Sequence, residues 1–475
     1  MPAAIVPKTD PLAGLPPEWP EDLLGHIQDR IRAAGRKVVV LDDDPTGTQT
    51  VHGVPVLTTW SVDAIARELQ NPFPAFYILT NSRSLPAPAA CAIGSEIGAN
   101  LRQASRRTGL PIEVISRSDS TLRGHFPAEV AALKDGLGVP RHPCLLIPFF
   151  LEGGRYTIDD IHYVADGDQL VPAAHTPFAL DAVFGYRHSN LRRWVEEKNG
   201  GRLPSAQVAS ITLDDLRRGG PVRVARQLTA MTPDSYGVIN AASYRDLEVL
   251  VAALLQVEAE GQEFIFRTAA SFVRVRAGIT PREAIAPETL TAGNNHGGLF
   301  VVGSHVPQTT RQVNTLLENG NVHAVEIAVD ALLNDGRRNI EIDRAVRAAD
   351  QRLKNGEDTI VFTSRKVVKA ASDEENIAIG QRVSASLIRV VQRLTCQPRY
   401  LVAKGGITSS DVATHALGVR RAMVLGQLLA GVPVWQLGDQ ARYPGMAYII
   451  FPGNVGDDRS LVTIQERLSI DAQLT

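Results

Sequence analysis

The chain has 475 residues, of which 44% are hydrophobic and 21% charged, and its formal net charge is −2. At roughly 100–200 residues per domain this is a multidomain globular protein with enough apolar residues for large cores, which excludes wholesale disorder. The near-neutral balance excludes a strongly basic field for nucleic acid or an anionic membrane, and no apolar run approaches the ~20 residues that span a bilayer.

The opening MPAAIVPKTDPLAGLPPEWP lacks a basic n-region followed by an apolar h-region, so it does not read as a signal peptide. Its prolines predict an extended arm over residues 1–30. The three cysteines, Cys91, Cys144 and Cys396, lie far apart, which excludes a disulfide framework and a CxxC zinc site. A reducing cytoplasm is the expected location.

The first strand is KVVVLDDD (37–44), an apolar run that ends in acids and meets the turn Pro45-Thr46-Gly47. SVDAIARELQ reads as a helix capped by Ser61, and PAFYILTNSRS (74–84) as the next strand. The Ala-rich stretch ending in SRRTG is a second helix. PIEVISRSDS (111–120), HPCLLIPFF (142–150), DSYGVINAAS (234–243) and EFIFRTAAS (263–271) are further strands, and the helix YRDLEVLVAALLQVEAEG precedes the last. Strands alternating with helices, each a continuous apolar run, predict an α/β fold with a mostly parallel sheet covered on both faces.

The segment 277–297 is rich in Gly, Pro, Thr and Asn and reads as a linker or hinge. A second α/β series follows: GLFVVGSHVP, VHAVEIAV, DTIVFTSR, RYLVAKGGIT and MAYIIFPGNVGDD are strands, separated by helices such as RNIEIDRAVRAADQRLKNG and NIAIGQRVSASLIRVVQRLTC. The segment near AMVLGQLLAGVP completes that core. The prediction is therefore two α/β domains, 31–276 and 298–475.

Ligands of open parallel sheets bind beyond the carboxyl ends of the strands, and the polar residues of this chain cluster there. In the first domain they are Asp42-Asp43-Asp44, then Thr80-Asn81-Ser82-Arg83, then Arg117-Ser118-Asp119-Ser120-Thr121-Leu122-Arg123-Gly124-His125. Any single Asp could be a turn cap, and any single Arg a surface residue. The dense third cluster suits a polyhydroxylated acid, with hydroxyls and Asp for its OH groups and Arg for its carboxylate. The second domain offers Gly303-Ser304-His305, Lys404-Gly405-Gly406-Ile407-Thr408-Ser409-Ser410, and Gly453-Asn454-Val455-Gly456. Such glycine loops let backbone N–H groups approach phosphate, with Thr408 and Ser409 as added donors. GxxxxGK[ST], GxGxxG, GxSxG and HExxH motifs are absent.

LDDDPTGTQT, SRSDSTLRGHFPAE, KGGITSSDVA and FPGNVG, in this order, resemble the motifs of the four-carbon acid sugar kinase family. The resemblance runs from about residue 37 to 460. It implies an N-terminal sugar-acid-binding domain, a C-terminal nucleotide-binding domain and an active site in the cleft between them. It implies ATP-dependent phosphorylation of the terminal hydroxyl of threonate, erythronate or 3-oxo-tetronate. The substrate would contact Asp43, Arg83, Arg117, Ser118, Asp119 and Ser120. Asp43 or its neighbour Asp44 would accept or orient the hydroxyl proton, and Arg83 and Arg117 would grip the carboxylate. ATP would contact Ser304, Gly405, Gly406, Ile407, Thr408 and Gly453, with Mg²⁺ bridging its phosphates on protein ligands the sequence does not name. A homodimer is compatible with the family; nucleic-acid and membrane partners are not expected. Asp42, Pro45 and the insertion LEGGRYTIDDIHYVADGDQLVPAAHTPF depart from the family pattern and bear on which acid is used.

A dehydrogenase or aldolase for the same acids would need a nicotinamide loop or a Schiff-base lysine. Only Lys404 is a candidate for the latter, and it fits phosphate contact better. A non-catalytic sugar-acid sensor would need neither the Asp opening nor the glycine loops, and both are present.

Overall fold

The computed structural model describes residues 4–290, 293–365, 373–453 and 455–469. The chain divides into two compact units, Met1–Pro55 with Thr59–Pro281, and Val56–Thr58 with Arg282–Thr475.

The first unit is built on a parallel sheet in the order Ala209–Ile211, Tyr236–Ile239, Cys144–Ile147, Ile265–Thr268, Ile112–Arg117, Lys37–Asp42 and Ala75–Leu79. Val38, Val39, Val40, Phe76, Ile78, Ile115, Leu145 and Phe266 are all buried, as strands covered on both faces require. The register aligns Asp42 with Arg117 and Leu79, and Arg117 with Thr268. The residues that follow these strands therefore emerge side by side at one edge. Each strand is shorter than its sequence pattern because the polar tail of each apolar run is loop.

Local signals hold well around this sheet. Ser61 caps the Val62–Gln70 helix, its Oγ accepting from the Ala64 N–H at 3.2 Å. The Ala87–Thr108 helix stops at Gly109, which is left-handed. The N-terminal arm is tied down rather than loose: Val6 pairs with Leu170, and Arg217 donates to the Pro16 carbonyl at 2.9 Å. The insertion folds as a small antiparallel sheet of Arg155–Ile158, Ile161–Asp166 and Gln169–Pro172, joined by that arm strand.

The second unit has five parallel strands in the order Ala447–Phe451, Tyr400–Lys404, Leu299–Val302, Thr359–Thr363 and His323–Ile327. An antiparallel hairpin, Arg421–Leu429 with Val432–Leu437, extends it beside Ala447–Phe451. Ile285 and Leu290, within the expected linker, are buried in this unit's core, and the Ile285 N–H donates to the Gln427 carbonyl at 2.8 Å. Residues 291 and 292 of that segment lie outside the described residues. No helix among the described residues is long and apolar enough to cross a membrane.

Candidate active site

At the carboxyl edge of the first unit, three loops converge on the Asp42-Asp43-Asp44 turn. Asp42 and Asp43 are both 2% exposed. Asp42 accepts from Arg117 Nη1 at 3.0 Å. Burial pushes the Asp42 carboxyl up to about 7, with Asp43 and Asp44 adding to the rise and Arg117 opposing it. Asp43 is different. Burial favours its neutral form, but both sides of its carboxylate are taken by Arg83, through Nε at 3.2 Å and through Nη2, and the Ser118 hydroxyl also donates to it. These, with Arg267 and Arg117 nearby, hold it below the usual carboxylate range, so it is ionised. Asp44 caps the turn that follows, accepting from the Thr46 N–H at 2.9 Å and the Thr46 hydroxyl at 2.6 Å.

Gly47 and Gly124 make room for this arrangement. A Cβ on Gly47 would overlap the Asp42 carboxylate. Gly124 has φ +120°, and a Cβ there would sit 2.8 Å from Ser118 Oγ, 2.9 Å from Arg267 Nη2 and 3.3 Å from Asp43 Oδ2. Only glycine fits, because the backbone passes within contact distance of the buried ion cluster.

The structure thus gathers Asp43, Asp44, Arg83, Arg117, Ser118 and Asp119 around one turn. Asp119 is held ionised by Arg123, whose Nε donates at 2.7 Å, and by the Thr121 hydroxyl. Ser120 contributes its backbone instead: its carbonyl bonds His162 Nε2 at 2.7 Å, and burial holds that imidazole down at about 4. Arg83 and Arg117 both already face aspartates. Arg83 also lies 3.5 Å from Asp44 and 4.0 Å from Asp119.

Two members of the cluster were not among the sequence candidates. Arg267 stands inside the Ile265–Thr268 strand, 5% exposed, and donates to the Arg123 carbonyl at 3.0 Å. A charged residue within EFIFRTAAS is the signal that marks it, since a doubly covered strand tolerates none without a partner. Glu129, in the Ala128–Leu137 helix, accepts from the Ser82 hydroxyl. Burial and the charge of Asp43 raise its carboxyl to about 7.

In the second unit the expected loops also come together. Gly405 has φ +108°, and a Cβ on it would lie 3.0 Å from Ser304 Cβ and 3.6 Å from Thr408 Oγ1. A Cβ on Gly453 would lie 3.6 Å from Ser304 Oγ, and one on Gly303 2.6 Å from Thr408 Oγ1. Ser304, Gly405, Thr408 and Gly453 therefore share one small space, which Gly406 and the exposed Ile407 border. Asn454 lies outside the described residues. Ser409 departs from expectation. It is buried, its hydroxyl donates to the Ala403 carbonyl at 2.8 Å, and it has no donor left for a phosphate. Lys404 is fully buried beneath the loop, donating to the Pro452 carbonyl at 2.6 Å with its ammonium 3.8 Å from the centroid of the Phe451 ring. Burial lowers that ammonium to about 7. Lys404 thus links two loop-bearing strands from below.

Arg365, unanticipated, lies just past the Thr359–Thr363 strand. Its Nη2 donates to the Ser304 carbonyl at 2.7 Å and to Thr310 Oγ1 at 2.8 Å. Among the described residues its enclosed Nε and Nη1 have no hydrogen-bond partner. The signal was the Thr-Ser-Arg tail of that strand, which mirrors the Ser82-Arg83 tail in the first unit.

Comparison with known proteins agrees with both halves. The model of the sugar-binding N-terminal domain matches residues 38–276, and that of the nucleotide-binding C-terminal domain matches 299–461. The chain belongs to the four-carbon acid sugar kinase family, a family of phosphotransferases. It is 25% identical over 398 residues to a D-threonate kinase of Salmonella typhimurium LT2, covering 80% of this chain and 86% of that protein. It is 27% identical over 437 residues to a 3-oxo-tetronate kinase of Methylobacterium radiotolerans, covering 87% and 95%. Two solved structures share the fold. A Haemophilus influenzae protein matches with a TM-score of 0.61 at 18% identity, covering 90% of this chain and 99% of that one. A Salmonella typhimurium LT2 protein matches with a TM-score of 0.66 at 17% identity, covering 92% and 99%.

Proposed function

We propose that this protein transfers the γ-phosphoryl group of ATP to the terminal hydroxyl of a four-carbon sugar acid such as threonate, erythronate or 3-oxo-tetronate. The observation that carries this reading is the pairing of two site types in one chain. One is an ionised, rigidly held Asp43 among hydroxyls and guanidinium groups at one sheet edge. The other is a glycine-lined space at a second sheet edge, with unsatisfied Arg365 donors beside it. The named activities of the relatives favour the four-carbon acids.

Phosphoryl transfer depends on positioning and on charge neutralisation more than on covalent chemistry. Asp43 is a weak base because Arg83 and Ser118 stabilise its anion. Its role here is to accept a hydrogen bond from the acceptor hydroxyl and aim it, taking the proton as the O–P bond forms. The Gly405 and Gly406 backbone, with Ser304, Thr408 and Gly453, lets the triphosphate approach closely, and the enclosed Nε and Nη1 of Arg365 supply charge-assisted donors. Ile407 offers an apolar contact at the mouth of that space. Bound together with ATP, Mg²⁺ would supply neutralisation of the phosphate charge. Among the described residues no group of three or more His, Cys, Asp or Glu gathers to hold a metal. The three unpaired cysteines fit a reducing cytoplasm.

The raised Glu129 carboxyl gives this reading a pH signature. It is protonated below about 7 and ionises above, adding a negative charge beside Asp43 where an anionic acid must bind. Asp42, also raised to about 7, ionises in the same window, so the KM for the sugar acid is expected to rise roughly three- to ten-fold as pH passes from 6 to 8, and Glu129→Gln should reduce that rise and leave the part that Asp42 contributes. The stability sign is the same. The folded carboxyl is raised from 4.5 to about 7, so the folded state binds this proton more tightly. Its contribution is present at acid pH and lost as pH climbs through that window. Glu129→Gln should therefore exceed the wild type in Tm at pH 8 but not at pH 4.

ADP release with Mg-ATP, measured across D- and L-threonate, D- and L-erythronate, their 3-oxo forms and five-carbon acids, tests the proposal. Acid-dependent ADP release with a four-carbon acid supports it; a protein that binds ATP and turns over none of the panel contradicts the substrate class.

A further inference from the structure

The arginines expected to grip the substrate carboxylate, Arg83 and Arg117, face Asp43 and Asp42. Arg123 faces Asp119 at 2.7 Å. Two guanidiniums beside this cluster have no such ion pair among the described residues: Arg267, which donates to the Arg123 carbonyl at 3.0 Å, and Arg155, which makes no side-chain hydrogen bond either. Arg155 belongs to the insertion, and its backbone is fixed at both ends: its N–H donates to the Phe150 carbonyl at 2.8 Å, and its own carbonyl accepts from the Phe150 N–H at 3.1 Å. Its side chain is partly buried and its Nε is sealed from solvent without a hydrogen-bond partner. Among the described residues its guanidinium makes no side-chain hydrogen bond and no ion pair within 4.0 Å. Burial, with the like charge of Arg123 adding to it, holds this guanidinium below its ordinary range, against a pull from Asp119.

The surroundings explain what is missing. Arg155 lies 5.9 Å from the centroid of the Phe178 ring, and Arg123 lies 5.1 Å from the same centroid. Two cations share one aromatic ring. The acid that acts on both, Asp119, is already engaged by Arg123 and by the Thr121 hydroxyl. Tyr186 offers no compensation, since its hydroxyl donates to the Thr121 carbonyl at 2.8 Å. Like charges gathered in a partly desolvated place, with a sealed donor unsatisfied, are unfavourable until an anion arrives. A planar carboxylate matches the guanidinium fork.

We propose that Arg155, supplied by the insertion, is the receptor for the carboxylate of the sugar acid, in place of the aspartate-paired Arg83 and Arg117. The inference rests on the kinase reading for the identity of the ligand. It makes the small antiparallel sheet a specificity element, because the position of Arg155 sets how far the carboxylate lies from Asp43 and so which chain length fits.

The test is calorimetric binding of the acid of the ADP-release panel that binds wild-type protein most tightly, whether or not it is turned over, and of its carboxamide, to wild-type protein, Arg155→Met and Arg155→Lys. The carboxamide keeps the hydroxyls and loses the charge. Arg155→Met is expected to weaken acid binding roughly ten- to hundred-fold and to leave carboxamide binding unchanged. In kinetics the loss should appear in the KM for the acid, with the KM for ATP unaltered. Arg155→Lys keeps the charge without the fork, guards against a failure of the Met variant to fold, and should weaken acid binding by a smaller factor in the same direction. Acid affinity within two-fold of wild type in both variants would overturn the inference, as would equal losses for acid and carboxamide, which would mark a purely structural role. A wild type that binds the acid but does not phosphorylate it rejects the kinase reading while the Arg155 comparison still stands. A wild type that binds no sugar acid rejects both.

Discussion

Asp43→Asn is expected to lower kcat about a thousand-fold while leaving the Kd for ATP unchanged. The amide has the shape of the carboxylate and preserves packing in a place that is 2% exposed. It loses the negative charge that Arg83 holds in register and that orients the acceptor hydroxyl. Asparagine is the better probe than alanine, because removing the side chain would strand Arg83 and Arg267 in a buried site and confound catalysis with folding. Single-turnover phosphorylation at saturating acid and Mg-ATP isolates the chemical step. A kcat within a factor of a few of wild type would reject the role assigned to Asp43 and turn attention to Asp44, whose oxygens are shared between Arg83 and its own turn.

Gly405→Val is expected to abolish nucleotide binding. At φ +108° a β-branched residue is strained, and its Cβ would stand 3.0 Å from Ser304 Cβ, filling the space that the Ser304, Thr408 and Gly453 loops surround. For wild type, Mg-ATP at a hundred times its Kd should stabilise the fold by about 2.7 kcal/mol and raise Tm. The variant should show no shift, while the sugar acid still shifts it. Gly453→Ala serves as a graded control. Its Cβ would reach only ordinary contact, 3.6 Å from Ser304 Oγ, so it should weaken ATP binding without eliminating it. An undiminished Mg-ATP shift in Gly405→Val would remove this loop from the nucleotide site.

The parallel cores were legible because each buried strand is an unbroken apolar run, and the candidate site was legible where such a run ends abruptly in polar residues, as at Leu41-Asp42-Asp43. Three kinds of feature escaped that reading. Arg267 and Glu129 lie inside a strand and a helix, where a charge is visible only as an exception to its surroundings. Arg155 lies in a segment with no strong period, although Asp159-Asp160 and Asp166-Gly167 are turn signals between alternating residues. In the structure Asp159 and Asp160 have φ of 51° and 63°, the left-handed pair that a tight hairpin requires. The pairing of charges is the third. Sequence places Arg83 and Arg117 near aspartates but does not say that they face them. Ser409 shows the converse: a hydroxyl in the right loop, turned inward because its helical position points it at the Ala403 carbonyl.

The central claim is phosphoryl transfer from ATP to the terminal hydroxyl of a four-carbon sugar acid. Phosphorus–proton correlated NMR of the product tests it most directly, using the preferred acid with Mg-ATP. The account predicts one new phosphomonoester signal, coupled to the terminal CH₂ protons and growing in step with ADP. Inorganic phosphate as the sole phosphorus product, or a phosphoester coupled to an internal CH proton, would contradict it.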